Sequence, residues 1–482
     1  MNAIKNYING EFINSKNDGE IDNINPATNE KIATIPRSSS QDIQDAVDAC
    51  NLSKSSWSKL TITERAEWLD KIADELEKRF EDISKLESID TGKPISLSRN
   101  VDATRSVSNF RFFADLARNM ETKQFEMSDA INKIVNKPVG IAGLITPWNL
   151  PLYLLSWKVA PALVMGNCVI AKPSELTPMT ANLLAEVIHQ VGLPKGVFNL
   201  IQGYGNECGQ ALVSHPEINL ISFTGGTTTG KIVAKTAAPM FKKISLELGG
   251  KNATIILDDA DLNLHIDNIV RSSFLNQGQV CLCGSRILVH ESIYFSFLEM
   301  FTKSVSSMKI GNPLNEDTKL GSLISNEHLE KVDSYVKLAI EEGGDVHYGG
   351  QRSNLNDDFA KGAFYEPTII VNLDYKSRTA TEEIFGPVVT IHKFNDIEEA
   401  IKIANYTNYG LAASIWTQDT TLGEHVAEKL DTGMVWINCW LHRDLRVPFG
   451  GVKDSGLGRE GGLYSLQFFS ELQNICTMND KY

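Results

Sequence analysis

The stretch Asn276-Gln277-Gly278-Gln279-Val280-Cys281-Leu282-Cys283 sets a thiol at a glycine-loosened junction. A helix is expected before it, over Asp267 to Leu275, and a strand after it, over Arg286 to His290. A thiolate attacks carbonyl carbon and leaves again readily, but free cysteine, with a pKa of about 8.5, is mostly protonated at neutral pH. Another group must activate it. Glu247 lies between Leu246 and Leu248 at the end of an apolar run and precedes two glycines. Burial there would raise its pKa toward that of a useful general base; on the surface it would be an ordinary glutamate. Cys281 and Cys283 lack the second Cys pair or His cluster that zinc spacing demands, so no metal is expected.

Two glycine-rich pieces could cradle a phosphate. Gly203-Tyr204-Gly205-Asn206-Glu207-Cys208-Gly209 has one residue too many for G-x-G-x-x-G and reads as a turn. Gly225-Gly226-Thr227-Thr228-Thr229-Gly230-Lys231 fits the Walker A pattern until Ile232, where Ser or Thr should hold Mg²⁺. A strand, glycines and a helix N-terminus still make a pyrophosphate seat or a plain β-α turn.

The elements that must position these residues are regular from Val139 onward. Strands are expected at 141–145, 168–172, 197–202, 219–224 and 243–248, with helices at 152–165, 180–191, 207–214 and 227–237 between them. Such alternation predicts a parallel sheet covered on both faces, with ligands outside the carboxyl ends of its strands. Trp148-Asn149, Lys172-Pro173-Ser174-Glu175, Phe223-Thr224-Gly225-Gly226 and Glu247-Leu248-Gly249-Gly250 all fall at such ends. A second α/β unit begins near Lys251, with strands at 253–257, 286–290, 368–372 and 388–394. Before Val139, an Asn-Gly hairpin spans Tyr7 to Ile13 and amphipathic helices follow. One helix carries Trp68 to Ile83, with Thr63 as its N-cap and Gly92 beyond its end; another runs over Ser98 to Asn119 with Arg99, Arg105 and Arg111. Phe125 to Lys137 reads as a hairpin arm and Phe468 to Met478 as a tail strand without a local partner, which points to subunit pairing.

The 482 residues suffice for two or three domains. A net charge of −14 argues against nucleic acid or an anionic membrane as partner, while leaving room for a local basic pocket. Seven cysteines, an odd number without small-domain spacing, read as reduced thiols. The first residues show no signal-like apolar run, and Lys158 and Pro161 interrupt the longest apolar stretch, so a cytoplasmic protein is expected.

Taken together, Pro147-Trp148-Asn149, Lys172-Pro173-Ser174-Glu175, Phe223-Thr224-Gly225, Leu246-Glu247-Leu248-Gly249-Gly250-Lys251-Asn252, Asn276 to Cys281, Glu382-Glu383-Ile384-Phe385-Gly386-Pro387 and Pro448-Phe449-Gly450-Gly451 resemble the NAD(P)-dependent aldehyde dehydrogenase superfamily. They come in the family's order and cover nearly the whole chain; Gly226 departs from the commoner Ser. The resemblance implies an α/β fold with a Rossmann-like NAD domain (1–118 and 140–249), a catalytic domain (250–454) and a β oligomerisation arm (119–139 and 465–482), assembled as a homodimer or homotetramer. It implies that Cys281 is the nucleophile, that Asn149 and the Cys281 N–H form an oxyanion hole, and that Glu247 activates the water that releases a free acid. Cys283 would line the pocket as a bystander. NAD would be held by Trp148, Lys172, Glu175, Gly225, Gly230, Glu383 and Phe385, with Glu175 disfavouring NADP. A narrower resemblance, through Asn109 to Ala114, Cys281 to Arg286 and Asn438 to Arg446, is to the branch acting on 2-aminomuconate and 2-hydroxymuconate semialdehydes. It implies tryptophan or aromatic-ring catabolism and a carboxylated aldehyde held by Arg105 and Arg443 beside Phe449, since a guanidinium matches carboxylate oxygens. Arg443 could instead pair with Asp444, and Arg99 or Arg111 could replace Arg105. A P-loop nucleotide hydrolase and a non-catalytic binding protein are the rival readings.

Overall fold

The strands Ile141–Ile145, Cys168–Lys172, Phe198–Leu200, Leu220–Thr224 and Lys243–Glu247 are mostly buried, as near-continuous apolar runs require. In the computed structural model, which describes residues 2–17 and 19–479, they pair in parallel. Residues 480–482 of the expected tail lie outside the described residues. The order is 243–247, 220–224, 141–145, 168–172, 198–200. The chain therefore enters this sheet's parallel core in the middle, steps outward twice, then returns on the other side of its first strand. The crevice between the carboxyl ends of Ile141–Ile145 and Leu220–Thr224 is the topological switch point. Antiparallel edges bring the sheet to eight strands, with Gly456–Leu457 on one side and the hairpin Asn6–Ile8 and Glu11–Ile13 on the other. Its turn is the expected Asn9-Gly10, both at positive φ (53° and 79°).

The second sheet runs in the order 345–348, 368–371, 388–394, 286–290, 253–256, 412–416, 434–437, parallel except at its first strand. Strands 345–348, 412–416 and 434–437 are not anticipated by the sequence reading, nor is a small sheet of Asn2–Ala3, Glu20–Asn25 and Glu30–Pro36. Helix Pro151–Val164 is buried on all faces, Lys158 included, which is the placement that an apolar circumference dictates. Among the described residues no helix is long and apolar enough to cross a membrane.

Two expectations are corrected. The tail strand Ser470–Met478 has a partner in its own chain: it pairs antiparallel with Ala130–Pro138, which also pairs with Gln124–Glu126. The arm's own backbone groups satisfy the ladder that the tail presents, so the tail alone is no argument for a second subunit. The helix expected to start at Thr63 is capped by Thr61, whose hydroxyl accepts from the Glu64 N–H while the Glu64 carboxylate accepts from the Thr61 N–H. It ends at Lys78, and a separate helix, Phe80–Thr91, closes on left-handed Gly92.

The cap assignment is testable by urea denaturation. Thr61→Ala is expected to cost about 1 kcal/mol, whereas exposed Thr63→Ala should stay within about 0.5 kcal/mol of the parent.

Candidate active site

After helix Leu262–Phe274, Asn276, Gln277 and Gly278 all adopt positive φ (53°, 56° and 72°). Left-handed backbone at non-glycine residues persists only where surroundings enforce it. Side-chain amides do so here. Asn276 donates to the Asn149 carbonyl (3.1 Å), Gln277 to the Ser322 carbonyl (2.8 Å), and the Gln279 carbonyl-type oxygen accepts from the Ile324 N–H (3.0 Å). Asn252 closes the loop from the other side. Its amide donates to the carbonyls of Cys281 (2.7 Å) and Cys283 (3.0 Å) and accepts from the Ala412 N–H (3.0 Å). The polar residues of this stretch are therefore clamps, and Asn252 is one that the sequence reading left without a role.

Cys281 emerges half-buried into a cavity of about 620 Å³, lined from both large sheets. Burial pushes its thiol well up, with Glu383, Glu247 and Cys283 adding to the rise and Arg443 opposing it. At rest it is a thiol. Asn149, at the switch-point crevice, donates one amide proton to the Gln279 carbonyl (2.9 Å) and has a second to give. Cys283 does not line the cavity; it is buried in the core, its sulfur toward the Leu275 carbonyl. Two residues after Cys281 in this turn, it points into the apolar layer instead.

Glu247 ends its strand only 4% exposed, and neither carboxylate oxygen has a hydrogen-bond partner among the described residues. Burial, then neighbouring Glu460, push its pKa well up; Lys158 and Arg443 oppose the rise. Glu460 is itself held by the Lys158 ammonium (2.6 Å), which also donates to Ser222 (2.8 Å). Lys158, Ser222 and Glu460 were missed in the sequence, although a lone lysine within an apolar helix was a usable signal.

At the carboxyl ends of the first sheet, Lys172 bonds Glu175 (3.1 Å) and the Pro173 carbonyl (2.7 Å), and both line the cavity. Gly225 lines it too, its missing Cβ leaving room for the Phe223 ring. Gly230 does not. It faces Leu248, whose methyl would stand 2.5 Å from a Cβ, and so seats the helix on the sheet rather than facing the cleft. Trp148 and Phe385 meet edge to face at 5.3 Å. His328 joins them, bonding the Phe385 carbonyl (2.7 Å), and burial pushes its pKa down to about 4, so it is neutral. The sequence reading missed His328. Glu383 accepts from the Gly250 N–H (2.9 Å), and a Cβ on Gly249 would stand 2.2 Å from its carboxylate. The Walker-like lysine, Lys231, pairs with Asp454 (2.9 Å), and Ile232 lines the cavity, so the nucleotide-hydrolase reading fails on geometry.

The arginines sort clearly. Arg99 pairs with Glu81 and Glu316, and Arg111 with Asp74 and Glu77. Arg105 lines the cavity with no carboxylate partner among the described residues. A π-helical turn, Ser98–Ala103, precedes it, and residues six apart on the following α-helix point roughly a third of a turn apart. Arg443 lies 4.1 Å over the Phe449 ring and 4.6 Å over Trp157, bonds the Tyr153 hydroxyl, and leaves Nη2 buried without a partner among the described residues. Asp444 pairs with Arg446 instead.

Residues 12–475 match the family described as "Aldehyde dehydrogenase family". The chain is 44% identical to a 2-hydroxymuconic semialdehyde dehydrogenase of Pseudomonas sp. (strain CF600), over 99% of each. It is 46% identical to a 2-aminomuconic semialdehyde dehydrogenase of Homo sapiens, over 98% of this chain and 97% of the relative. Betaine aldehyde dehydrogenase of Staphylococcus aureus, solved in complex with NAD+, superposes with a TM-score of 0.95 at 41% identity, covering 98% of this chain and 94% of that one.

The nucleophile turn yields a paired prediction. Gly192 and Gly278 share a left-handed φ (75° and 72°), but a Cβ at Gly192 meets nothing within 4 Å, whereas one at Gly278 would lie 2.1 Å from the Gly386 carbonyl oxygen. Gly192→Ala should cost about 1–2 kcal/mol in urea denaturation, and Gly278→Ala distinctly more.

Proposed function

Because this chain belongs to the aldehyde dehydrogenase family, we propose that it oxidises 2-aminomuconate 6-semialdehyde to 2-aminomuconate. It is an NAD-dependent aldehyde oxidoreductase. The 2-hydroxy counterpart is the second reading, supported by the 44% identical relative. One observation carries the carboxylated substrate: the Arg443 guanidinium, held on aromatic faces, keeps a buried nitrogen without a hydrogen-bond partner among the described residues. Such a group is satisfied when a carboxylate takes it.

The residues present fit the cofactor. Lys172 and Glu175 can bond ribose hydroxyls, Glu383 stands over the Gly249-Gly250 turn, and the buried hydroxyls of Thr146 and Thr224, also in the cavity wall, have no partner among the described residues. The hydride acceptor that the oxidation requires is supplied by NAD when bound. Everything else falls to the chain. The Cys281 thiol gives up its proton to solvent and its sulfur bonds the aldehyde carbon. The carbonyl electron pair moves to oxygen, facing the Asn149 amide and the Cys281 N–H; each such donor contributes roughly 3–4 kcal/mol. Oxidation leaves an acyl thioester on Cys281. Glu247 then takes a proton from water as its oxygen bonds the acyl carbon, the C–S bond breaks with its electron pair going to sulfur, Glu247 returns the proton to that sulfur, and the free acid departs.

In the same reading the first sheet forms the NAD domain and the second the catalytic domain. The arm, whose Phe125, Met127, Leu472 and Met478 are 53–62% exposed, packs against a second copy. The unbonded thiols support a reducing, cytoplasmic setting.

Two predictions follow from these roles. Glu247 must be ionised to accept a proton, and its pKa is raised, so thioester hydrolysis should accelerate as pH rises through that value. Glu247→Gln should abolish this limb and show a burst of NADH followed by slow turnover; an unchanged steady-state pH profile would refute the role. Arg443→Ala should raise KM for the muconic semialdehyde by about 10- to 100-fold, matching the roughly 1.5–3 kcal/mol of a charged hydrogen bond. Equal losses on an uncharged aldehyde would count against the anchor.

A further inference from the structure

The chain has fourteen arginines. Eight pair with carboxylates. Three, Arg65, Arg286 and Arg459, hold backbone carbonyls at 2.9 Å or closer. Arg105, Arg271 and Arg443 remain, and all three line the same cavity. In a protein with 60 acidic residues against 46 basic ones, an exposed arginine ordinarily finds a carboxylate. Three that have none among the described residues share one cavity, where Glu175, Glu247, Glu383 and Glu460 also stand, in a chain whose net charge repels anions.

Arg271 is the member with no role so far. It comes from helix Leu262–Phe274, is exposed, and lines the cavity together with Leu275, Leu282 and Leu441. Its guanidinium lies 5.3 Å over the Trp440 ring, with Nη1 3.5 Å from the Trp440 carbonyl. Trp440 is buried, and its indole N–H donates to the Leu282 carbonyl (3.1 Å), next to the nucleophile. The platform under Arg271 is thereby anchored to the catalytic loop. A guanidinium on a fixed aromatic face stays charged and pays little ordering entropy when it meets an anion. The three differ in depth: Arg271 is exposed, Arg105 half-buried, and Arg443 half-buried with a sealed nitrogen.

We propose that Arg271 is a third substrate-directed guanidinium, a specificity-determining residue at the cavity mouth that draws the carboxylated aldehyde in toward Arg105 and Arg443. The inference rests on the carboxylated-substrate reading. Arg271 acts on capture, so its loss should appear in KM and in salt dependence, with kcat held.

The test compares parent, Arg271→Gln and Arg271→Lys on 2-hydroxymuconate semialdehyde and on butanal, from low to high NaCl, with thermal midpoints confirming that each variant folds. For Arg271→Gln, kcat/KM on the muconic semialdehyde should fall on the order of tenfold at low salt, with a flatter salt dependence. Its kcat should stay within about twofold and butanal kinetics should not move, because no charge is captured there. Arg271→Lys should recover most of the loss. Equal losses on both aldehydes, an unaltered salt slope, or no recovery with lysine would overturn the proposal. A parent enzyme that shows no preference for the carboxylated aldehyde would instead overturn the substrate reading beneath it.

Discussion

Keeping a carboxylate buried with no hydrogen bond to either oxygen is the constraint on which the rest of this structure depends. Glu247 is in that state, and the general cost of an unpaired buried charge is several kcal/mol. The fold meets it by raising the group's affinity for a proton, through burial first and then the field of Glu460, with Lys158 and Arg443 opposing the rise. A base with raised proton affinity sits beside a thiol shifted in the same direction for the same reason. Low dielectric also strengthens the donors that face a developing oxyanion. The dry interior and the chemistry are thus one arrangement.

That interior exists because the two sheets present opposite ends to each other. The first offers the carboxyl ends of its strands, as the switch-point rule requires. The second offers amino ends: Cys281 precedes strand Arg286–His290, and Glu383 and Phe385 precede Val388–Phe394. A rule for a single sheet finds half of the lining and says nothing of the other half. Left-handed turns at Asn276 to Gly278 and at Phe385 let the second sheet's loops reach inward.

The departures from expectation have different origins. The tail strand finds its ladder more than three hundred residues upstream, in the arm, and no local pattern announces a partner at that range. Gly230 sits in a phosphate-loop pattern, yet its bare Cα accommodates Leu248. Cys283 shares a motif with Cys281 but turns into the core, because the chain makes a tight turn there, closed by the Cys283 N–H on the Val280 carbonyl (2.9 Å). Thr61 outranks Thr63 as a cap because Glu64 stands three residues after it, and that spacing was visible.

By itself the sequence determined the alternation of elements, most helix and strand positions from Val139 onward, and the identity of Cys281, Glu247 and Asn149 as residues at strand ends and junctions. Those are properties of short windows, where periodicity, caps and turn chemistry act within a few residues. Only the tertiary structure decided which groups share a cavity. Lys158 meets Glu460 across 302 residues, Asn252 clamps the Cys281 loop across 29, and Arg105 is singled out from Arg99 and Arg111 only by which of them find carboxylates. Partner choice among like side chains depends on distance in space and on burial, and neither quantity is written in the spacing of residues along a chain.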